Sequence, residues 1–478
     1  YRMGFDAGDY TSGAADVTLE FSAGSIIGVV RITGYTSATS ASAIVLKDLG
    51  DNSATTIWAE GAWSDWRGWP SAVEISQGRL WWFGNGRAFG SISDAYASFD
   101  PDYEGDAAPI NRTVSDAAGF DVNWAMAIER MFVGTSAMVQ VVRSSSLDEP
   151  ITPSNYNVKT ATGKGAAALM PAISGKVGYF VGGDTISLYE LRPDQTGIDY
   201  AATKMNILVP EVSGAGIVKI AAQEEPDFRL YCVLADGTVA LLVRDDAENV
   251  VCWVPLETDG VIEDVCVLPA VIEDRVFFRV RRTIGGVDVR YHEELARIDE
   301  CAGGALSLLA DSSITGTGVV SGLSHLEGKD VVVWADGADQ GTHAVVAGAL
   351  PTLTASFTTW CAGLGYQARY RSAKLIGQTG MGVSLTQRTR VNKIGLLLAD
   401  THAQGLQFGP DFNTLDDLPL VEDGDDVATG TVWAAYDQDM IEFPGDWDTD
   451  NRICLVANAP RPCTVLAAVI NVDRHDHD

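Results

Sequence analysis

Positive charge is scarce in this chain. Lys and Arg number 33 against 64 Asp and Glu, a formal net charge of −31 over 478 residues. Ordinary nucleic-acid binding draws on basic patches that displace counterions from phosphates, and that material is missing. Docking on an anionic membrane surface is disfavoured for the same reason. Histidine is equally thin, with His292, His325, His343, His402, His475 and His477 scattered through polar surroundings. Seven cysteines (Cys232, Cys252, Cys266, Cys301, Cys361, Cys454 and Cys463) form no CxxC pair, and their odd number argues against a disulfide framework. Most sit in apolar strand contexts, as in VCWV, which suits buried reduced thiols made in a cytoplasm. No apolar run approaches the ~18 residues of a membrane helix, so no membrane insertion is expected. No signal peptide is visible. The chain opens on Tyr1 rather than Met, and a missing N-terminal part is expected.

Catalytic and metal-binding signatures are also wanting. There is no HExxH, no Cys/His finger spacing, no GxSxG elbow, and GKG at Gly163–Gly165 lacks the P-loop spacing. LGDNSATTIW from Leu49 does not keep the spacing of a sialidase Asp box. The acidic runs DDAEN and VEDGDD do not follow the calcium-loop pattern and read as solvated loops. His475 and His477, among aspartates at the end of the chain, offer at most adventitious metal binding. No catalytic, cofactor-binding or metal-binding residue is singled out, and no cofactor is expected. With so many acidic residues, a carboxylate pair of the kind that cleaves glycosides can arise without any local signature.

What the chain does have is glycine, 49 residues of it, and short runs rich in Val, Thr, Trp and Tyr. That composition favours strands joined by turns. No long segment keeps a 3.6-residue apolar period. TATGKGAAALM and EELARIDECAGGALSLLA are the best helix candidates.

One pattern returns five times between Ala72 and Arg282. An apolar segment, a turn, a basic residue and a second apolar run follow one another. The second runs are RLWWFG, RMFVGT, KVGYFVG, RLYCVLADG and RVFFRV, opened by Arg79, Arg130, Lys176, Arg229 and Arg275, at separations of 51, 46, 53 and 46 residues. The upstream partners are AVEIS, VNWAMAI, ALMPAIS, GIVKIAA and VIEDVCVL. A hairpin repeated at about 50 residues is the spacing of propeller blades, each too small to bury its own faces. The same hairpins could instead belong to two successive β-sandwiches. The fold class expected is all-β, an irregular β-propeller with flanking small β-sandwich-like domains. Its parts are an N-terminal β domain over 1–62, possibly incomplete, the propeller over 63–300, a β domain over 301–372 and a C-terminal sandwich-like domain over 373–478. Asp236-Gly237 marks the clearest hairpin turn.

Residues 63–100 are the most distinctive stretch. Trp63, Trp66, Trp69, Trp81 and Trp82 fall within 20 positions. Such clusters serve as sugar platforms or as core and interface anchors. The Trp69→Ala change is expected to harm folding or assembly.

Three segments together resemble the tail nozzle (tail tubular) proteins of short-tailed phages. The first is GWP, a strand, QGRL, FG and a strand leading to the closing FD at Asp100. The second is SGLSHLEGKDVVVWADG, Ser321–Gly337. The third is NAPRPCTVLAAVINV, Asn458–Val472. ITP at Ile151–Pro153 fits the same order. The resemblance covers most of residues 60–478 and little of 1–60. It implies a structural virion protein with no enzymatic role, located in the tail and made in the host cytoplasm. It further implies a homohexameric ring that docks on a tail adaptor protein and offers attachment to fibre or spike proteins. DNA would pass through the lumen without specific binding, and lumen loops would close the channel. Two other readings stand beside it: a polysaccharide depolymerase, a glycosidase on a β-propeller, and a soluble propeller that binds a ligand in its central hole.

Overall fold

The structure is a computed structural model, and it describes residues 17–23, 26–50, 53–65, 67–114, 121–145, 149–194, 199–379, 382–384, 387–422, 424–437 and 440–474. Trp66, His475 and His477 lie outside these residues. The chain divides into two compact units, 1–257 and 258–478.

The first unit opens with a four-stranded sheet of β1 (Val17–Ala23), β2 (Ile26–Ser37), β3 (Ser40–Lys47) and β4 (Trp58–Glu60), in the order β3-β2-β1-β4. Four antiparallel four-stranded sheets follow, each in simple sequence order. The first blade is β5 (Ala72–Ser76), β6 (Arg79–Gly84), β7 (Arg87–Gly90) and β8 (Ile110–Thr113). The second is β9 (Val122–Ala127), β10 (Met131–Thr135), β11 (Val139–Arg143) and β12 (Asn157–Thr162). The third is β13 (Ala172–Ser174), β14 (Val177–Val181), β15 (Leu188–Pro193) and β16 (Tyr200–Lys204). The fourth is β17 (Ile217–Gln223), β18 (Arg229–Leu234), β19 (Val239–Asp245) and β20 (Val250–Leu256).

Alternation along the middle strands sends each blade's side chains to both neighbours. Trp81 and Phe83 of the first blade share a core with Met131 and Val133 of the second. Trp124 and Phe132, on the other face of the second blade, pack with Phe180 and Leu191 of the third. Tyr179 and Leu188 of the third meet Ile220, Leu230 and Leu242 of the fourth. Face-to-face stacking of up-and-down four-stranded sheets is propeller packing, and the two-sandwich alternative does not describe it. First strands run close to one another, β5 to β9 and β13 to β17.

Local chemistry explains the hairpins. The β5–β6 turn is Gln77-Gly78 and the β6–β7 turn is Asn85-Gly86, with all four residues at positive φ. That is the backbone of the tight two-residue hairpin turn. Gly134 on β10 is paired with Trp124 on β9, and a Cβ there would collide with the indole. Glycine lets the ring lie flat over the neighbouring strand.

The second unit begins with the fifth hairpin of the series. It forms a three-stranded sheet of β21 (Val261–Leu268), β22 (Arg275–Ile284) and β23 (Val287–Glu294). Next come β24 (Asp311–Val319), β25 (Asp330–Ala335), β26 (Ala338–Ala344) and β27 (Ser356–Leu364), ordered β24-β27-β25-β26 around Trp360, Val331, Val333 and Leu326.

The C-terminal part contains β28 (Gln367–Arg371), β29 (Gly377–Thr379), β30 (Gly382–Ser384), β31 (Thr389–His402), β32 (Leu406–Asp411), β33 (Thr414–Asp417), β34 (Val421–Glu422), β35 (Asp425–Asp426), β36 (Val432–Tyr436), β37 (Ile441–Glu442), β38 (Cys454–Asn458) and β39 (Thr464–Arg474). One sheet runs β28-β38-β32-β33. In the other, β31 pairs with β36 and β37 on one side and β39 on the other. Ile394, Leu396 and Leu398 of β31 pack with Phe408 and Leu455 of the facing sheet, a small sandwich.

No α-helix occurs among the described residues, so both helix candidates are corrected. TATGKGAAALM ends β12 and then turns. Gly165 lies so close to the Ser136 carbonyl that a Cβ could not fit, which fixes an extended approach rather than a coil. EELARIDECAGGALSLLA yields one 3₁₀ turn, Ile298–Cys301, stopped by Gly303 and Gly304 at φ 91° and 83°.

Candidate functional site

The basic residue that opens each repeated run has no common task. Arg79 is buried and donates to the carbonyls of Ser91 (2.6 Å), Asp106 (2.7 Å), Ala107 (3.3 Å) and Ala108 (2.7 Å). It pins the β7–β8 loop, and its burial lowers the guanidinium's pKa. Lys176 pairs with Glu129 at 2.5 Å, Arg229 with Asp227 at 3.4 Å and Arg275 with Glu294 at 2.5 Å. The repeat is therefore a folding device.

The tryptophan cluster divides. Trp81 is fully buried in the first core. Trp63 lies edge-on to Phe89, ring centroids 4.8 Å apart, and against Gly84. Trp69 is 56 % exposed, and its indole N–H donates to Asp65 Oδ1 at 2.9 Å. A folding role for Trp69 is thereby corrected: its ring lies outside the core.

Between the third and fourth blades lies a buried charge network. Glu190 Oε1 on β15 accepts from the Tyr179 hydroxyl (3.3 Å), from Arg192 (2.8 Å) and from Arg244 on β19. Arg192 and Arg244 both reach Asp246, at 3.0 and 2.7 Å. Burial and the Glu190 charge push the Tyr179 hydroxyl up. Every charge in this group has an opposite partner, so it clamps two blades and leaves none for a ligand.

A cleft of about 250 Å³ opens where the β10–β11 and β14–β15 turns meet the segment after β12. Ser136, Lys164, Gly165, Gly182, Gly183, Asp184 and Tyr189 line it. The Lys164 ammonium lies 6.0 Å from the Tyr189 ring centroid. Burial alone would raise the Asp184 carboxyl. Donation from Ser187 Oγ (2.6 Å), Ser187 N (2.9 Å) and Ile186 N (3.1 Å) outweighs that and holds it low. Asp184 is thus an ionised turn cap.

The second unit has a cleft of about 230 Å³ beside the Ser321–Gly337 segment, lined in part by Asp259, Arg282, His325 and Lys329. Arg282 donates to Glu293 (2.6 and 2.7 Å), Asp311 (3.3 Å), Thr258 Oγ1 (2.9 Å) and the Asp259 carbonyl (2.7 Å). Lys329 pairs with Asp259 at 2.7 Å, and His325 Nε2 meets the Ser312 carbonyl at 2.9 Å. Glu327 caps the backbone N–H groups of Ala347 and Gly348 at 2.9 and 2.8 Å.

The second and third resembling segments meet the C-terminal sandwich at a buried joint. Arg461 pairs with Asp339 at 2.8 Å and donates to the Gln404 carbonyl at 2.9 Å. Buried His402 lies edge-on to Trp334, centroids 6.0 Å apart, and accepts from Gln404 N at 3.0 Å. Burial, then the Arg461 charge, lowers the His402 pKa, with Asp339 opposing.

One carboxyl behaves differently. Glu74, half-buried on β5, has its pKa raised, chiefly by desolvation. Backbone N–H groups of Ile75 (3.0 Å) and Ala127 pull against that shift without cancelling it. Nothing in AVEIS marks this residue, since its burial is set by the fold and not by the neighbouring sequence. Among the described residues, no group of three or more His, Cys, Asp or Glu is placed to hold a metal ion.

No family model matches the chain, and no curated protein matches it. Solved structures do. An exo-β-1,3-galactanase from Phanerochaete chrysosporium shares 10 % identity over 84 % of this chain and 95 % of its own, TM-score 0.25. A glycoside hydrolase family 43 arabinoxylan arabinofuranohydrolase from Bacillus subtilis shares 9 % over 84 % and 93 %, TM-score 0.22. The Trypanosoma rangeli sialidase shares 9 % over 78 % and 93 %, TM-score 0.21. Glycoside hydrolases recur in this set, and the expectation of a chain without enzymatic activity is corrected accordingly.

Proposed function

We propose that the chain is a component of the tail of a short-tailed phage virion. In this reading it forms a homohexameric nozzle ring, docks on an adaptor protein, attaches fibres or spikes and encloses the DNA channel. The observation that supports this best is the use made of the three resembling segments. Arg79 is committed to four carbonyls, Glu327 to two backbone amides, and Arg461 to Asp339 and a carbonyl. These are framework contacts, as the resemblance implies. Six copies would carry 6 × −31 = −186 formal charges, and a like-charged wall lets DNA slide because no counterions are released on contact. Antibody labelling of virions that carry the chain tests this reading. Label at the distal tail is the expected result; label on the capsid shell, or none on the particle, contradicts it.

The nozzle role is compatible with hydrolysis, and Glu74 favours a second reading, cleavage of a host-surface polysaccharide. A carboxyl whose pKa is raised by burial is suited to give a proton to a glycosidic oxygen, and the second carboxylate such cleavage needs would come from another of the chain's acidic residues. A clearing-zone assay on capsulated cells tests it. Clearing by the wild type that is lost in Glu74→Gln supports the reading, and no clearing by the wild type counts against it.

A further inference from the structure

The cleft of about 250 Å³ in the first unit holds polar groups that the fold does not use. Ser136 Oγ, the Lys164 ammonium and the Tyr189 hydroxyl make no hydrogen bond or ion pair among the described residues. The ammonium stands over the Tyr189 ring, 6.0 Å from its centroid. That is the outer limit of a cation–π contact, so the charge is not committed to the ring. The cleft of the second unit differs, because Arg282 and Lys329 in it are already paired with carboxylates.

Backbone contacts fix the walls. The segment after β12 is bonded to both turns beside it. Ala166 N–H donates to the Thr135 carbonyl at 2.8 Å, and Gly183 N–H to the Gly165 carbonyl at 3.0 Å. A Cβ on Gly182 would meet Asp184 Oδ1 and the Tyr189 ring, each at 3.0 Å. Glycine there keeps that carboxylate and that ring around one open spot. Phe180 stacks on Tyr189, centroids 5.3 Å apart and planes 20° apart, and sets the ring's orientation.

Each wall suits a different part of a ligand. An unspent ammonium favours an acid group. The face of an aromatic ring is negatively polarised and draws C–H groups. Asp184 Oδ1 is filled by the Ile186 and Ser187 amides, whereas Oδ2 accepts only from Ser187 Oγ. Oδ2 therefore has room for one more hydroxyl donor. A doubly charged phosphate would share the cleft with that carboxylate, and like charges disfavour it. Pockets for drug-sized ligands begin at about 300 Å³, so this one takes a single small ring rather than an oligomer.

We propose that the cleft binds one acidic sugar unit of the uronate type. Its carboxylate meets Lys164, its C–H face meets Tyr189, and its hydroxyls meet Ser136 and Asp184. The site stands on its own geometry and needs neither the tail ring nor hydrolysis at Glu74.

Ligand-detected NMR titration of the full chain tests this, with sodium glucuronate, glucose and sodium acetate as probes. The wild type binds glucuronate. Glucose in place of glucuronate, or Lys164→Gln, removes the ionic contact and weakens binding by about tenfold or more, the worth of one hydrogen bond to a charged group. Lys164→Arg keeps the contact and retains binding. A Cβ at Gly183 makes only ordinary contact with the Ser136 carbonyl, at 3.7 Å, so Gly183→Val fills the cleft and abolishes binding. Lys164 is exposed, and Lys164→Gln carries the test alone should Gly183→Val unfold. No glucuronate binding by the wild type overturns the proposal. So does binding that is unchanged in Lys164→Gln or in folded Gly183→Val, or glucose bound as tightly as glucuronate. Acetate that binds as well as glucuronate shows an anion site without sugar recognition and also overturns it.

Discussion

At the scale of single residues, the groups that looked chemical are mostly structural, and their roles can be tested apart from function. Arg79 fills four carbonyl acceptors in a buried loop. Each buried acceptor left without a donor costs ~1–3 kcal/mol, so Arg79→Met is expected to lower stability by about 3 kcal/mol or more in urea unfolding. Arg79→Lys will not restore it, since an ammonium cannot fan across the same acceptors. Trp69 gives the opposite expectation. Its ring is exposed, and Trp69→Ala should change stability by no more than about 0.5 kcal/mol. His402 predicts a pH dependence. Its folded pKa lies below the ordinary value of 6.5, so below pH 6.5 the unfolded chain takes up the proton more readily. The stability held by neutral His402 is complete above that pH and is lost as the pH falls toward the folded value. The urea midpoint of the second unit should drop between pH 7 and pH 5, and by less in His402→Gln.

At the scale of elements, the hairpins were legible because two local signals agree. Period-two alternation marks the strands, and Gln77-Gly78, Asn85-Gly86 and Asp336-Gly337 supply positive φ where the chain must reverse. In the C-terminal sandwich the apolar runs of β31 and β38 occupy central positions in their sheets. The two helix candidates were not legible, because Ala-rich composition resembles a helix while the decisive facts are contacts of glycine. Gly165 against the Ser136 carbonyl is a relation no window of sequence contains. The Glu190–Arg244 clamp joins residues 54 apart and was invisible for the same reason. Gly134 makes the point testable. Gly134→Ala pushes a methyl into the Trp124 indole, at an overpacking cost of about 1–3 kcal/mol. The Gly134→Ala, Trp124→Leu double variant should lose less than the sum of the two single changes, measured as a double-mutant cycle.

At the scale of the whole molecule, the chain is built from small sheets in two compact units. Each blade of the first unit buries its faces only against its neighbours, through three successive cores. Charge sets the surface character, and the carboxylates described above answer mainly to arginines and backbone amides. The nozzle reading rests on resemblance alone, because framework motifs carry no chemistry that a sequence can advertise. Glu74 shows the reverse limit, an ordinary glutamate in an ordinary strand whose pKa is raised by burial that the local sequence does not reveal. The most direct test of the nozzle account is electron microscopy of the purified full chain at high concentration. A closed ring of six copies around an open channel, its inner wall lined with Asp and Glu, is the predicted image. Isolated single molecules at every concentration, or a ring whose inner wall is basic, would contradict it.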